Sequence, residues 1–200
     1  EYRQPIDLQD MPVLSIDQIV QGYRELSGWP HAESRGPFGN SGQCNINVNC
    51  PEGATWATEK RSVALIVQGG FTVCTGNLLN NTANDGTPYF LTANHCLGNP
   101  GNWVYYFNHE SASCNGNNGP TNQSISGGTV VFNSGQSDVA LIELSQTPPA
   151  AFNVQYAGWD ASGTTPSSTV GIHHPSGDVK KICFDDDSPS QQNAGGAAVW

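Results

Sequence analysis

Basic residues and long apolar runs are scarce in this chain. Of its 200 residues, 12% are charged, and 7 Lys and Arg stand against 17 Asp and Glu, which gives a net formal charge of −10. Phosphate binding needs a basic face, so nucleic acid is excluded as an expected partner. No segment approaches the ~18 consecutive apolar residues of a membrane-spanning helix, so no membrane partner is expected either.

The cysteines lack the pattern of a metal site. No Cys-x-x-Cys pair occurs, and the spacings do not resemble those of zinc ligands. In a chain with few charges and much Asn, Ser and Gly, cysteines instead predict a disulfide framework in a secreted or periplasmic protein. The six are Cys44, Cys50, Cys74, Cys96, Cys114 and Cys183.

Glycine and proline are abundant, and no internal repeat is present. The 23 Gly and 13 Pro supply the turns that strands need at their ends. Short runs rich in β-branched and aromatic residues, bounded by Asn, Gly, Pro or Asp, are typical of strands. Seven such runs without a convincing helix between them predict an antiparallel sandwich or barrel. They are residues 62–67, 71–74, 88–92, 103–107, 128–132, 139–144 and 168–172.

The first forty residues differ from the rest. Ser15 is a candidate N-cap for one or two helical turns over residues 15–23, and prolines interrupt the segment. Gly36-Pro37-Phe38-Gly39 has the composition of a linker. We therefore expect an extension over residues 1–40 and one folded domain over residues 41–200.

A histidine, His95, lies where an apolar strand ends, in the string Phe90-Leu91-Thr92-Ala93-Asn94-His95-Cys96. A general-base histidine needs a fixed backbone and a carboxylate that orients its ring. Asp138 is the candidate for that carboxylate, and a turn-capping aspartate is the structural alternative. A disulfide from Cys96 to Cys74 would hold the corner rigid, with a loop-closure contribution of about 3 kcal/mol. The order His then Asp also agrees with the chymotrypsin triad.

Several segments together resemble the trypsin-like serine endopeptidases, and most closely the bacterial lysyl endopeptidase branch. The likeness extends over residues 40–183, and the combination is more specific than any single string. It rests on residues 42–53, 74–82, 92–96, 137–141, 157–160 and 172–177.

The resemblance implies an all-β, chymotrypsin-like double antiparallel β-barrel with a catalytic cleft between the barrels. It implies hydrolysis of polypeptides after Lys or Arg by a His-Asp-Ser triad, with His95 as general base and Asp138 as its orienting partner. No cofactor is needed by this route. The resemblance also suggests a Cys50–Cys114 disulfide. It places Trp159 at the cleft edge beside His95, for which a core or surface aromatic is the equal alternative.

The nucleophile segment of that family is missing after Asp138. No Gly-x-Ser-Gly string comes after it, so we expect the second barrel to be incomplete in this chain and the oxyanion-hole amides to be absent. Ser41 and Ser162 lie in similar strings, but neither fits the family's chain order. The nucleophile is expected from a longer polypeptide or from a second chain, and the chain alone should be inactive.

Other positions leave alternatives open. Residues 1–40 are either a retained prosegment, which would make the protein a zymogen, or a linker. Cys44 and Cys183 pair with each other or with cysteines outside this chain. No metal site is expected: His173 and His174 are adjacent, so they point to opposite faces of a strand, and Asp185–Asp187 is interpreted as a solvated turn. A rival function is an inactive protease-like binding module.

Overall fold

The computed structural model describes residues 41–190, 192–194 and 197–199, so the helical turns and linker predicted within residues 1–40 lie outside the described residues. Within these ranges the chain forms β-strands and short 3₁₀ helices, and none of the helices there is long and apolar enough to cross a membrane. The strands are β1 (Ile46–Asn47), β2 (Val63–Gln68), β3 (Phe71–Leu79), β4 (Tyr89–Thr92), β5 (Trp103–Phe107), β6 (Ser124–Ser126), β7 (Gly128–Ser134), β8 (Val139–Leu144), β9 (Thr169–His173), β10 (Lys181–Asp185), β11 (Gln192–Ala194) and β12 (Ala197–Val199). The 3₁₀ helices span Pro51–Trp56, Glu59–Ser62, Asn94–Cys96, Pro100–Asn102, Ala150–Phe152 and Pro175–Gly177.

Seven strands form one curled antiparallel sheet in the order β6-β5-β2-β3-β4-β8-β7. A single residue, Gly127, separates β6 from β7, and its φ of +81° turns the chain at a cost that only glycine avoids. The segment therefore pairs with β5 before the turn and with β8 after it. This double pairing brings the two sides of the sheet together and gives it the form of a barrel.

The barrel interior contains the main hydrophobic core. Strand alternation explains it, because β5 buries Trp103, Tyr105 and Phe107 and turns the residues between them outward. Phe90 of β4 and Ile142 of β8 are register partners, and both are fully buried. The Phe90 and Tyr105 rings meet edge to face at 5.0 Å. This packing fixes β4 against β8, the two strands from which the candidate site is built.

A second, three-stranded antiparallel sheet has the order β1-β10-β9, and β11 pairs with β12 as a hairpin. The loop between β9 and β10 makes two hydrogen bonds to the barrel. The His174 backbone N–H donates to Thr75 Oγ1 of β3 at 3.0 Å, and the Lys180 backbone N–H donates to the carbonyl of His109, which follows β5, at 2.9 Å. The chain is therefore an all-β protein with one curled barrel and a smaller second sheet, as the chymotrypsin-like prediction requires.

The seven predicted strands correspond to β2, β3, β4, β5, β7, β8 and β9, with ends that differ by a few residues. Sequence reasoning did not predict β1, β6, β10, β11 or β12. These strands are short, and β10 has only three apolar residues, with a charged residue at each end (Lys181–Asp185). Their pairing depends on long-range partners rather than on a local pattern, since β1 pairs with β10 across more than half of the chain.

Candidate active site

The topology brings His95 and Asp138 to the same edge of the barrel. Thr92, at the end of β4, pairs with Ala140 near the start of antiparallel β8. The chain leaving β4 therefore reaches His95 at the place where the chain entering β8 carries Asp138. Neither position depends on a flexible loop, because both lie within three residues of paired strand positions.

Two hydrogen bonds join the pair. His95 Nδ1 lies 2.7 Å from Asp138 Oδ2, and the His95 backbone N–H donates to Asp138 Oδ1 at 2.8 Å. Both distances are those of ordinary to short hydrogen bonds. One carboxylate thus fixes both the ring and the backbone of the histidine. The His95 side chain is 71% exposed, so the rest of the ring is open to a substrate or to another part of the protein.

Asp138 is held in an uncommon conformation and stays ionised. Its φ is +48°, in the left-handed region that Asp and Asn tolerate better than other side chains with a Cβ. The hydrogen bond from the His95 side chain, followed by that from its backbone, holds the pKa of Asp138 below its ordinary value. An ionised carboxylate accepts a hydrogen bond from Nδ1–H, which leaves Nε2 as the basic nitrogen.

The backbone around His95 is tied down on both sides. Cys96 forms a disulfide with Cys74 of β3, and the Asn133 side-chain amide donates to Asn94 Oδ1 at 2.9 Å. Cys74, His95 and Cys96 offer three potential metal ligands within a small volume, but the two sulfurs are bonded to each other and are not thiolates. The second disulfide, Cys50–Cys114, is also present, so both predicted pairings are found.

Replacing Cys74 and Cys96 together by serine should lower the free energy of unfolding by about 3 kcal/mol, because the disulfide closes a loop of 22 residues. Urea denaturation of the oxidised proteins measures the change. The matched control is the double replacement Cys44→Ser and Cys183→Ser, which removes two free cysteines and should leave the midpoint nearly unchanged. Equal urea midpoints for the wild type and the two double variants would show that the Cys74–Cys96 disulfide does not stabilise the fold.

A depression of about 640 Å³ lies between the barrel and the second sheet, next to the His–Asp pair. Asp138, Thr92 and Thr75 line it from the barrel, and Val170, Ile172 and His173 line it from β9. The space therefore lies between the two sheets, where the resemblance places the catalytic cleft.

Trp159 does not lie beside His95. Its indole N–H donates to the Asn80 carbonyl at 3.1 Å, and Ala157 forms a parallel bridge with Leu79. Leu79 ends β3, whereas Cys74, which is bonded to the neighbour of His95, lies five residues earlier in that strand. Trp159 is 56% exposed and its indole binds at the end of β3 that is farther from Cys74, which favours the surface alternative over the cleft-edge prediction.

The two serines in nucleophile-like strings are bound to carboxylates. Ser41 Oγ donates to Asp178 Oδ2 at 2.7 Å, and Ser162 Oγ donates to Asp160 Oδ2 at 2.9 Å. Each hydroxyl thus has an acidic partner other than the Asp138–His95 pair.

Cys44 and Cys183 are free and exposed, so of the two alternatives for these cysteines, the bond between them is not formed. They face solvent near the pairing of β1 with β10.

Sequence reasoning missed a polar network between the barrel and the second sheet. All three lysines of the chain take part: Lys60 and Lys180 approach Glu110, and Lys181 approaches Asp178. Lys180 has no exposed surface, and burial lowers its pKa to about 8. The sequence feature that could have indicated this network is the rarity of lysine. Two of the three lysines are adjacent, Lys180 and Lys181, next to the apolar residues of β10.

Below a pH of about 6.5, the protein should lose stability as His174 is forced to accept a proton. The ring is fully buried, its Nδ1 bonds the Asp178 carbonyl, and burial lowers the pKa of His174 well below its ordinary 6.5. The unfolded chain binds this proton more readily than the folded chain, so acid favours unfolding. Urea midpoints should fall between about pH 7.5 and about pH 5.5, and His174→Asn should reduce the slope. Stability that rises on acidification would contradict this assignment.

A curled antiparallel barrel with a hydrogen-bonded His–Asp pair at one edge is the arrangement found in chymotrypsin-like proteases. Residues 38–200 match the family model described as lysyl endopeptidase, C-terminal domain. The lysyl endopeptidase of Pseudomonas aeruginosa is 32% identical over 197 residues, an alignment that covers 89% of this chain and 40% of that protein. The chain belongs to the lysyl endopeptidase family, and the resemblance carried by its motifs is confirmed.

The chain spans 40% of the length of this curated relative. Among solved structures, Rv3671c of Mycobacterium tuberculosis H37Rv, in the inactive form of a serine-to-alanine mutant, aligns with 68% of this chain and 55% of that protein. The TM-score is 0.43 and the sequence identity is 20%.

Proposed function

We propose that this chain supplies the general base and its orienting carboxylate to a secreted serine endopeptidase that cleaves after lysine. The nucleophilic serine comes from residues outside this 200-residue chain, in a longer polypeptide or in a second chain. Arginine is the alternative residue before the scissile bond. The name of the Pseudomonas aeruginosa relative supports lysine.

The double hydrogen bond between Asp138 and His95 is the observation that carries the proposal. Asp138 accepts a hydrogen bond from Nδ1–H, so Nε2 presents its lone pair to the serine hydroxyl. The ring takes the serine proton as the hydroxyl attacks the peptide carbonyl, and Asp138 stabilises the resulting imidazolium. Nε2 then returns the proton to the leaving amine, and water repeats the sequence on the acyl-enzyme.

Two further observations support the rest of the proposal. Two disulfides favour an oxidising compartment such as the extracellular space or the periplasm. The family match begins at residue 38, close to the predicted boundary at residues 40 and 41, so we propose that residues 1–40 precede the catalytic domain as a prosegment.

The test compares the 200-residue chain with the natural protein that contains it, using peptides that differ only in a lysine, arginine or norleucine before the scissile bond. The natural protein should cleave the lysine peptide, lose activity to a serine-reactive inhibitor and reject norleucine, which lacks the charge. The 200-residue chain should show no turnover.

Each other outcome has a defined meaning. A natural protein that stays inactive with its disulfides intact and with residues 1–40 removed would contradict the protease and favour the binding module. Turnover by the 200-residue chain, blocked by the same inhibitor, would show that a serine within it is the nucleophile.

A further inference from the structure

Lys60, Asn49 and Glu110 form a compact cluster, and none of the three lines the depression beside the His–Asp pair. Lys60 Nζ lies 2.5 Å from Asn49 Oδ1 and 2.6 Å from Glu110 Oε1. The Asn49 side-chain nitrogen, Nδ2, lies 3.3 Å from the same carboxylate oxygen. An amine, a carboxamide and a carboxylate therefore meet at one point.

The cluster is mostly buried and is held from several sides. The side chains of Lys60 and Glu110 are 15% and 16% exposed. The Ser111 carbonyl accepts from Asn49 Nδ2 at 2.7 Å, and Lys180 Nζ donates to the Lys60 carbonyl at 2.7 Å. The Cys50–Cys114 disulfide joins the residue after Asn49 to the loop that carries Glu110. Such fixation supplies the proximity that turns an unreactive amide into a substrate for a neighbouring amine.

Glu110 is placed to move a proton from the attacking nitrogen to the leaving nitrogen. Its Oε1 contacts Lys60 Nζ, which must lose a proton before it can attack. The same oxygen contacts Asn49 Nδ2, which must gain a proton before it can depart. One carboxylate oxygen within reach of both nitrogens can act first as general base and then as general acid. Lys180 Nζ lies 3.5 Å from Glu110 Oε2 and forms an ion pair with the other oxygen of this carboxylate.

We propose that Lys60 and Asn49 join in an intramolecular isopeptide bond that forms within the folded chain with Glu110 as proton carrier. The lone pair of Lys60 Nζ forms a bond to Asn49 Cγ, and the bond from Cγ to Nδ2 breaks with its electron pair on nitrogen. Glu110 takes two protons from Nζ in turn, one before the attack and one after it, and passes both to Nδ2. One lysine ammonium and one carboxamide become one amide and one ammonium ion, with no oxidant, metal or other reactant.

The bond would join the segment after β1 to the 3₁₀ helix before β2. β1 belongs to the second sheet and β2 to the barrel, so the bond is a covalent cross-link between the two sheets. It lies beside the Cys50–Cys114 disulfide, but it survives reduction.

A neighbouring pair provides an internal comparison. Lys181 Nζ donates to Asn47 Oδ1 at 2.8 Å, and Asp178 Oδ2 lies 3.3 Å from that amine. The Asn47 side-chain nitrogen, however, donates to the carbonyls of Cys114 and Gly116 rather than to a carboxylate. No acid is positioned to protonate it as a leaving group, so this pair should stay unlinked.

The test is the mass of the unmodified chain, produced with its disulfides formed and then reduced under denaturing conditions. The wild-type mass should be lower than the sequence mass by one ammonia. Cleavage after glutamate separates Asn49 from Lys60 at Glu52 and Glu59. After reduction the two resulting peptides should still migrate as one branched species. An unreduced sample of the same digest shows whether Cys50–Cys114 has formed, so only folded molecules are scored.

Matched variants separate the proposal from other losses of ammonia, such as succinimide formation at Asn115-Gly116. Lys60→Arg should restore the full mass and abolish the branched peptide, whereas Lys181→Arg should leave both unchanged. Glu110→Gln should greatly reduce the linked fraction. Two separate peptides from wild-type molecules that carry the Cys50–Cys114 bond would overturn the proposal. Lys60, Asn49 and Glu110 would then form only a hydrogen-bonded cluster.

Discussion

In the protease proposed above, His95→Ala should lower kcat about 10⁶-fold, the size of loss that results from removing the general base of a serine protease triad. The serine hydroxyl then has no base to take its proton, and the leaving amine has no acid. KM should change much less, because the imidazole contributes little to binding the substrate's ground state. Steady-state kinetics on the lysine peptide measures both constants.

Two controls accompany His95→Ala: a measurement of its thermal stability, and the variant His173→Ala. The His95 side chain is 71% exposed, so its removal leaves no buried cavity and the thermal midpoint should stay close to that of the wild type. His173→Ala makes the same chemical change on β9, at the depression but outside the Asp138 hydrogen bonds, and should cost far less activity. Similar losses in the two variants would contradict the role of His95 as the base.

The barrel and the His–Asp pair could be predicted because their signals are local. Runs such as Trp103–Phe107 alternate and are bounded by turn residues, so each run identifies a strand without knowledge of its partners. His95 and Asp138 follow and precede such strands, and antiparallel pairing then fixes where they meet. The Cys74–Cys96 disulfide belongs to the same corner.

The features that could not be predicted depend on contacts between distant segments. Nothing near Trp159 in the sequence indicates which end of the barrel it reaches; its bond to Asn80 decides that. The bond from Lys180 to the Lys60 carbonyl joins residues 120 positions apart, and a single sequence contains no pattern for such a contact. The sequence around Cys44 and Cys183 likewise contains nothing that indicates that both cysteines are free.

Asp138→Asn should lower kcat about 10⁴-fold in the proposed protease, the loss seen when a triad aspartate becomes an amide and the histidine takes the wrong tautomer. Asp138 now accepts two hydrogen bonds, from the His95 ring at Oδ2 and from the His95 backbone at Oδ1. An asparagine has one accepting oxygen. If that oxygen keeps the backbone N–H, its NH₂ group faces Nδ1, and the ring must carry its proton on Nε2.

A ring protonated at Nε2 cannot take the serine proton, so the variant should bind the substrate normally and react slowly. The opposite amide orientation sets the NH₂ group against the backbone N–H and loses that bond. The first orientation therefore removes the base, whereas the second loses the hydrogen bond that holds the His95 backbone, and in both the negative charge that stabilises the imidazolium is gone while the side-chain volume is preserved.

Asparagine is the right replacement because the position requires a left-handed backbone. Asp138 has a φ of +48°, which asparagine adopts readily, whereas alanine would add strain of about 1 kcal/mol and confuse a catalytic effect with a structural one. Asp160→Asn is the matched control, since Asp160 is exposed and accepts hydrogen bonds from Ser162. It should leave kcat unchanged. If Asp138→Asn kept more than about a tenth of the wild-type kcat, the carboxylate would not be orienting His95 for catalysis.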